Sequence, residues 1–178
     1  MRSAAASSCA TDRGRTRLVL WFAGGAFVLV WVVFRSPAID YRLVIAGALL
    51  PLVELPFGSP RVLHSVTGAV ALLGLAMVAT PRRRLVQRRL IALPVGLLVH
   101  LLLDGIWTDT HAFWWPFAGT EWSDARLPEL ARGGLDVVLE LAGAAALWWC
   151  WRRFRLDEPA RRARFLRTGQ LDRDVATP

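Results

Sequence analysis

Four long apolar stretches, separated by charged segments, dominate the pattern of this chain. They cover Leu18–Phe34, Val62–Ala79, Leu90–Trp107 and Leu135–Trp151, and each has 17 or 18 residues. That is close to the length an α-helix needs to cross the hydrocarbon core of a bilayer. Backbone polar groups in lipid must be hydrogen-bonded within the segment, so the pattern predicts four membrane-spanning helices.

A fifth apolar stretch, Leu43–Phe57, has 15 residues and contains Pro51, Glu54 and Pro56. Two prolines and a carboxylate predict a short, broken or re-entrant segment, which survives at membrane depth only against protein or a wet cavity. We favour the re-entrant interpretation, and the alternative is that this stretch spans the membrane. The predicted fold class is therefore all-α: a polytopic membrane helix bundle of four spanning helices plus this one short broken or re-entrant segment.

The composition supports a membrane protein and argues against other classes. Hydrophobic residues make up 54% of the chain, and the mean hydropathy is +0.38. The net charge of +8 would suggest nucleic acid in a soluble protein. Here the arginines alternate with apolar spans instead of sharing one surface with aromatic residues, so we predict no nucleic-acid partner. The predicted location is the plasma or inner membrane, crossed several times.

Arginine asymmetry orients the predicted spans. The loop Thr80–Arg89 holds five arginines and no acid, whereas the loop Thr108–Gly134 holds two arginines and four acids. Cytoplasmic loops carry the excess of basic residues, so the first loop is predicted inside and the second outside. The predicted organisation is a basic cytoplasmic N-terminal tail at 1–17, a membrane bundle at 18–151 and a basic cytoplasmic C-terminal tail at 152–178.

This orientation gives expectations for helix direction and for lipid contact. In the favoured topology, the span at 18–34 runs outward and the span at 135–151 runs inward. If the stretch at 43–57 spans instead, the N-terminus lies outside. The bilayer is the expected partner, with anionic lipid at the Arg-rich inner segments; protein partners are unknown.

Ionisable residues inside the apolar runs carry the functional signal. Such residues are costly in a bilayer and usually face the interior of a bundle, where they mark a site. His100 and Asp104 are four apart, so they share one helix face. Under the predicted topology, the unusual polar residues gather in the outer half of the membrane: Glu54, His64, His100, Asp104, Asp136 and Glu140. The sequence thus predicts a shared polar pocket at the outer face.

Imidazole and carboxylate groups together suit a divalent transition metal such as zinc. We predict a metal site formed by His64, His100, Asp104 and His111. Glu54 and Asp104 are the predicted catalytic carboxylates, and Asp136 is an alternative to Glu54 as general base.

Each of these residues also has an ordinary structural interpretation. His100 and Asp104 would bond each other and give packing specificity, and Glu54 would cap a broken helix. Asp136 would favour a helix N-terminus. Glu140 would pair with Arg126 or Arg132, and His111 would be a solvated loop residue.

The stretch Gly47–Pro116 resembles the membrane-bound metal-dependent hydrolase-like family typified by the YdjM inner-membrane proteins. The matching pieces are Gly47–Pro51 followed by Glu54, then His64-Ser65, then the His-x-x-x-Asp element at His100–Asp104, then Trp115-Pro116-Phe117. The family pattern has Pro-Asp-x-Asp and His-Arg-x-x-x-His-Ser elements. Here Leu52 replaces the first Asp, Glu54 stands for the second, and neither Ser59 nor Pro60 supplies the first His.

The resemblance implies a divalent metal and hydrolytic activity. The depleted ligand set leaves two other functions open. One is a non-catalytic membrane scaffold or partner-binding protein. The other is a small transporter that uses the broken segment and the intramembrane carboxylates. The sequence does not identify a substrate.

Overall fold

The computed structural model describes residues 18–57, 62–119 and 135–176, and this part of the chain is helical with no strand. Short 3₁₀ helices cover Leu50–Phe57, Val62–His64 and Ile106–Thr108. The α-helices are α1 Val19–Phe34, α2 Tyr41–Leu49, α3 Val66–Ala79, α4 Arg84–Leu90, α5 Ala92–Asp104, α6 Thr110–Phe113, α7 Leu135–Arg153, α8 Pro159–Thr168 and α9 Arg173–Ala176. The all-α prediction is confirmed.

Helices α1 and α7 pack side by side and run in the same direction. At their first turns, both carboxylate oxygens of Glu140 lie 3.1–3.2 Å from the backbone nitrogen of Leu20. Further along, Gly24 lies against Gly143. Near their ends, the ring of Phe154, which follows α7, lies 4.9 Å from that of Trp31. Residues further along α1 therefore contact residues further along α7, so the two helices are parallel.

The parallel arrangement differs from the favoured topology, which ran the spans at 18–34 and 135–151 in opposite directions. The reason is the fifth stretch. Tyr41, at the start of α2, lies 4.7 Å ring to ring from Phe27 on α1, and Ala48 is near the level of Phe22, because both contact His100. Thus α2 returns along α1, which is the path of the alternative interpretation of 43–57. The favoured interpretation had this segment dip in and out at one end.

Glycines bring α2 and α5 into close contact. Gly47 lies against the carbonyl of Leu93, and Gly96 lies against the carbonyl of Val44. A Cβ atom at either glycine would overlap the facing carbonyl oxygen. Small residues at such crossings let two helix backbones approach closely.

Replacing Gly96 by alanine should lower the free energy of unfolding by about 1–3 kcal/mol, because the extra methyl group forces the two backbones apart. Gly74→Ala is the matched control, since nothing lies within 4 Å of a Cβ atom added there. Alanine costs less backbone entropy in a helix, so this control should gain about 0.5–1 kcal/mol. Thermal unfolding of both variants in one detergent checks this prediction, and equal shifts would contradict it.

The bundle has two distinct ends. The histidine end, which carries His64 and His100, includes the start of α3 and the end of α5. There Ser65 caps α3 by accepting a hydrogen bond from the Gly68 nitrogen at 3.1 Å. Gly105 ends α5 with a φ of 76° directly after Asp104, a conformation that glycine adopts without strain. The opposite end, the arginine end, carries Arg82–Arg89.

Residues of the predicted C-terminal tail pack onto the arginine end. Phe154 is 1% exposed, and its ring stacks 5.6 Å from that of Phe27. The carbonyl of Gly169 accepts a hydrogen bond from the Tyr41 nitrogen at 2.9 Å. Leu171 donates its backbone N–H to the carbonyl of Pro37 at 3.1 Å. The chain after α7 therefore closes the junction between α1 and α2.

One continuous helical stretch in the described part, Arg84–Asp104, is long and apolar enough to cross a membrane. It has 21 residues and a mean hydropathy of 1.5 over its most apolar window. Val19–Phe34 and Val66–Ala79 are apolar but shorter. Length and composition thus support one span directly, at the position of the predicted span Leu90–Trp107.

Candidate metal centre

Three side chains from two parts of the chain meet at the histidine end. His64, His100 and Asp104 each offer a ligand atom, and these atoms lie within 4.8 Å of one another. All three residues are at most 1% exposed. His100 and Asp104 come from the last turns of α5, whereas His64 lies directly before the cap of α3.

The His64 ring is held by Glu54. Its Nδ1 lies 2.7 Å from Oε2 of Glu54, while Oε1 of the same carboxylate accepts the backbone N–H of Leu63 at 2.9 Å. A neutral imidazole that donates from Nδ1 carries its lone pair on Nε2. Nε2 of His64 is buried and has no hydrogen-bond partner in the described part of the chain.

The His100 ring is held by the backbone of α2. Its Nδ1 lies 2.6 Å from the carbonyl oxygen of Ala48. A carbonyl oxygen only accepts hydrogen bonds, so Nδ1 is the donor, and in a neutral imidazole Nε2 then carries the lone pair. Phe22 stacks on the same ring at 4.0 Å between centroids. The ring of His100 is thus fixed by contacts from two helices.

This arrangement has the features of a metal-binding group. Metal-ligating histidines usually donate their other ring N–H to a carboxylate or a backbone carbonyl, which fixes the tautomer and the orientation. Zinc lies about 2.0–2.2 Å from its nitrogen and oxygen ligands, so donors in a tetrahedral site are roughly 3.4 Å apart. Small side-chain movements would bring the three donors to that spacing. The buried group could therefore hold a metal ion.

The predicted ligand His111 lies outside this group. His111 is exposed on α6, where its ring packs over Gly119. Asp109 is the N-cap of α6, because its carboxylate accepts hydrogen bonds from the backbone N–H groups of His111 and Ala112. The structure therefore does not bring His111 into the group of His64, His100 and Asp104 that was predicted to include it.

Glu54 is buried, and it faces Nδ1 of His64, away from the ring nitrogen that is available to a metal. This position suits orientation of His64 better than the general-base role predicted for Glu54.

Asp136 and Glu140 lie at the first turns of α7, at the histidine end. Asp136 is 7% exposed, and its Oδ1 has no hydrogen-bond partner within the described residues. Glu140 accepts from the nitrogen of Leu20, as described above. Its predicted partners Arg126 and Arg132 lie outside the described residues.

Sequence reasoning missed the backbone and aromatic parts of the centre. The Ala48 carbonyl carries no side-chain signal, and Phe22 is one apolar residue among many in its segment. The grouping of His64 with His100 and Asp104 followed from the predicted topology, since all three were placed at one face.

Comparisons with protein-family models, with curated proteins and with solved structures find no match to this chain.

Proposed function

We propose that this chain is a multi-pass membrane protein whose metal centre hydrolyses an ester or phosphoester at one face of the membrane. The observation that carries this proposal is the buried group of His64, His100 and Asp104, with each imidazole oriented through Nδ1. The resemblance to the YdjM-type hydrolase-like family, noted above for Gly47–Pro116, agrees with it.

The outer surface of the bundle supports a membrane location. Large apolar side chains are exposed on α1, α3 and α7, among them Val33, Val78 and Leu141 at 64%, 78% and 66% exposure. Soluble monomers rarely expose apolar side chains over several neighbouring helices. Together with the stretch Arg84–Asp104, these faces suit helices that lie in lipid. We therefore propose α1, α3, α4–α5 and α7 as the spans, with α2 and its 3₁₀ extension as a further short crossing.

The three candidate ligands found among the described residues support catalysis. Structural zinc sites usually have four protein ligands, whereas catalytic sites have three and keep one position for water or substrate. When bound, a zinc-like cation polarises an ester or phosphoester and activates water for attack at neutral pH. Within this chain, the Nε2 atoms of both histidines and the Asp104 carboxylate would hold the cation.

Asp136 is the general base that we propose. It is a buried carboxylate at the same end of the bundle, and one of its oxygens has no partner in the described part of the chain. Glu54 instead has one oxygen on His64 and the other on Leu63. We therefore assign it the orientation of His64.

A second candidate is a non-catalytic membrane scaffold that the metal stabilises. The near-complete burial of the three ligand residues favours it, because a structural metal site is closed to substrate. The two candidates predict different consequences of metal removal. In the scaffold, removal lowers stability and there is no activity to lose.

Hydrolysis of chromogenic acyl and phosphoryl esters by the full-length protein in nanodiscs tests the proposal. We expect turnover that falls at least a hundredfold after chelation and returns with added zinc. Asp136→Asn should retain zinc while losing about 10²–10⁴-fold in rate, the usual contribution of a general base.

Metal content by mass spectrometry and thermal unfolding serve as controls. Folded wild-type protein that takes up no zinc would refute the metal centre. Zinc that only raises the unfolding temperature, with no hydrolysis of either ester class, would support the scaffold.

A further inference from the structure

The arginine end contains an apolar cavity that the metal centre does not use. It has a volume of about 230 Å³ and lies between α3 and the α4–α5 stretch. Seven residues line it, and none is polar: Leu72, Leu75, Ala76, Ala79, Leu90, Leu93 and Pro94. Leu75 is 64% exposed, so the cavity opens to the outside of the bundle.

Five arginines follow or precede the residues that line this cavity. Ala79 stands three residues before Arg82, and Leu90 directly follows Arg88 and Arg89. Arg82, Arg83, Arg84, Arg88 and Arg89 are all exposed. The residues from 80 to 91 contain no acidic side chain.

The charge distribution at this end differs from that of the C-terminal helices. There, arginines pair with acids: Arg161 lies 2.5 Å from Glu158 and 2.9 Å from Asp174, and Arg164 also pairs with Asp172. These contacts neutralise part of the tail. The cluster at 82–89 therefore combines uncompensated positive charge in its own segment with a neighbouring apolar cavity.

We infer that this cavity binds one acyl chain of an anionic phospholipid while the arginines at 82–89 hold its phosphate. The apolar cavity alone would accept the acyl chain of any lipid, and the arginine cluster alone would attract any anion. Their adjacency selects a molecule with a hydrocarbon chain and a negative head group. The inference rests on the proposed membrane location and is independent of the metal centre.

Native mass spectrometry of the full-length protein, released from detergent with added phosphatidylglycerol or phosphatidylcholine of equal chain length, tests this inference. We expect phosphatidylglycerol to bind at least tenfold more tightly. Each arginine near a membrane surface contributes a factor of about five in affinity for anionic lipid. Arg88→Gln combined with Arg89→Gln should thus weaken phosphatidylglycerol binding about 25-fold.

Two matched pairs of variants separate the parts of the site. Arg162→Gln combined with Arg167→Gln removes two exposed arginines from α8 and should leave phosphatidylglycerol binding within twofold. Ala79→Phe fills the cavity and should abolish retention of a lipid, whereas Val78→Phe adds the same ring at a 78% exposed neighbour and should not. If Ala79→Phe fails to fold, Leu75→Gln replaces an exposed lining residue and should weaken binding at least threefold.

Several outcomes would overturn the inference. These are equal binding of the two lipids, equal losses from the α8 and the 88/89 variants, or full retention of lipid by folded Ala79→Phe. Competition by soluble glycerol phosphate as effective as that by the lipid would show that the acyl chain is not bound. Zinc content should be unchanged in all these variants, so the result does not depend on the metal centre.

Discussion

Alanine at His100 should weaken zinc binding by about 100- to 1000-fold. Structural zinc sites with four ligands bind with about 10–16 kcal/mol, so each ligand contributes roughly 2.5–4 kcal/mol. His100 would supply one of the three donors that the described residues bring together, and its ring is already oriented by Ala48 and Phe22. Losing this donor therefore removes both a metal ligand and its preorganisation. Competition with a chromophoric zinc chelator measures the affinity directly.

His111→Ala is the matched control for this prediction. It removes the same side chain from an exposed position outside the group, so zinc affinity should stay within twofold of the wild type. Asp104→Asn tests the third donor, because it keeps the shape of the side chain while removing the charge. We expect a loss similar to that of His100→Ala.

Folding must be measured alongside, because His100 is completely buried. Circular dichroism and thermal unfolding of the metal-free variants separate lost affinity from lost structure. A folded His100→Ala protein with wild-type zinc affinity would contradict the assignment of His100 as a ligand. Equal losses in His100→Ala and His111→Ala would do the same.

The local part of the centre could be predicted from the sequence. A spacing of four places His100 and Asp104 on one face of any α-helix, whatever the surrounding fold. Their position in an apolar run indicates that they face the interior. His64 was predicted to lie near them because the arginine pattern orients the spans at 62–79 and 90–107 in opposite directions. The start of the first span and the end of the second then lie at the same face.

The rest depended on the path of the segment at 43–57, which its composition left ambiguous. Pro51 and Pro56 indicate a break in the helix, but they do not show whether the chain crosses to the other face of the bundle or returns to the same face. In the structure, α2 returns along α1 and brings the Ala48 carbonyl to His100. That single path also makes α1 and α7 parallel, which is why Glu140 meets the backbone nitrogen of Leu20.

Glutamine at Glu54 should weaken zinc binding by about 10- to 100-fold, the usual effect of removing an outer partner of a ligating histidine. Glu54 accepts two hydrogen bonds with two oxygens, from Nδ1 of His64 and from the Leu63 nitrogen. A glutamine has only one acceptor oxygen, so one of those donors would face the amide NH₂ group. His64 would then lose either its orientation or its preferred tautomer.

Glu140→Gln provides the matched control, because Glu140 is also a carboxylate at the histidine end with a backbone N–H as its partner. Both of its oxygens face the same donor, on Leu20, so the single amide oxygen of glutamine can still accept that bond. We expect a stability loss of at most about 1 kcal/mol, from the lost charge at the start of α1, and no change in zinc affinity.

Two readouts together distinguish orientation of His64 from general structural support. If Glu54 orients His64, Glu54→Gln lowers zinc affinity in protein that is still folded, and Glu54→Asp restores part of it by returning a carboxylate. If Glu54 only supports the fold, Glu54→Gln lowers the unfolding temperature of the metal-free protein while folded molecules bind zinc normally. The second result would remove Glu54 from the centre but would leave His64, His100 and Asp104 as its ligands.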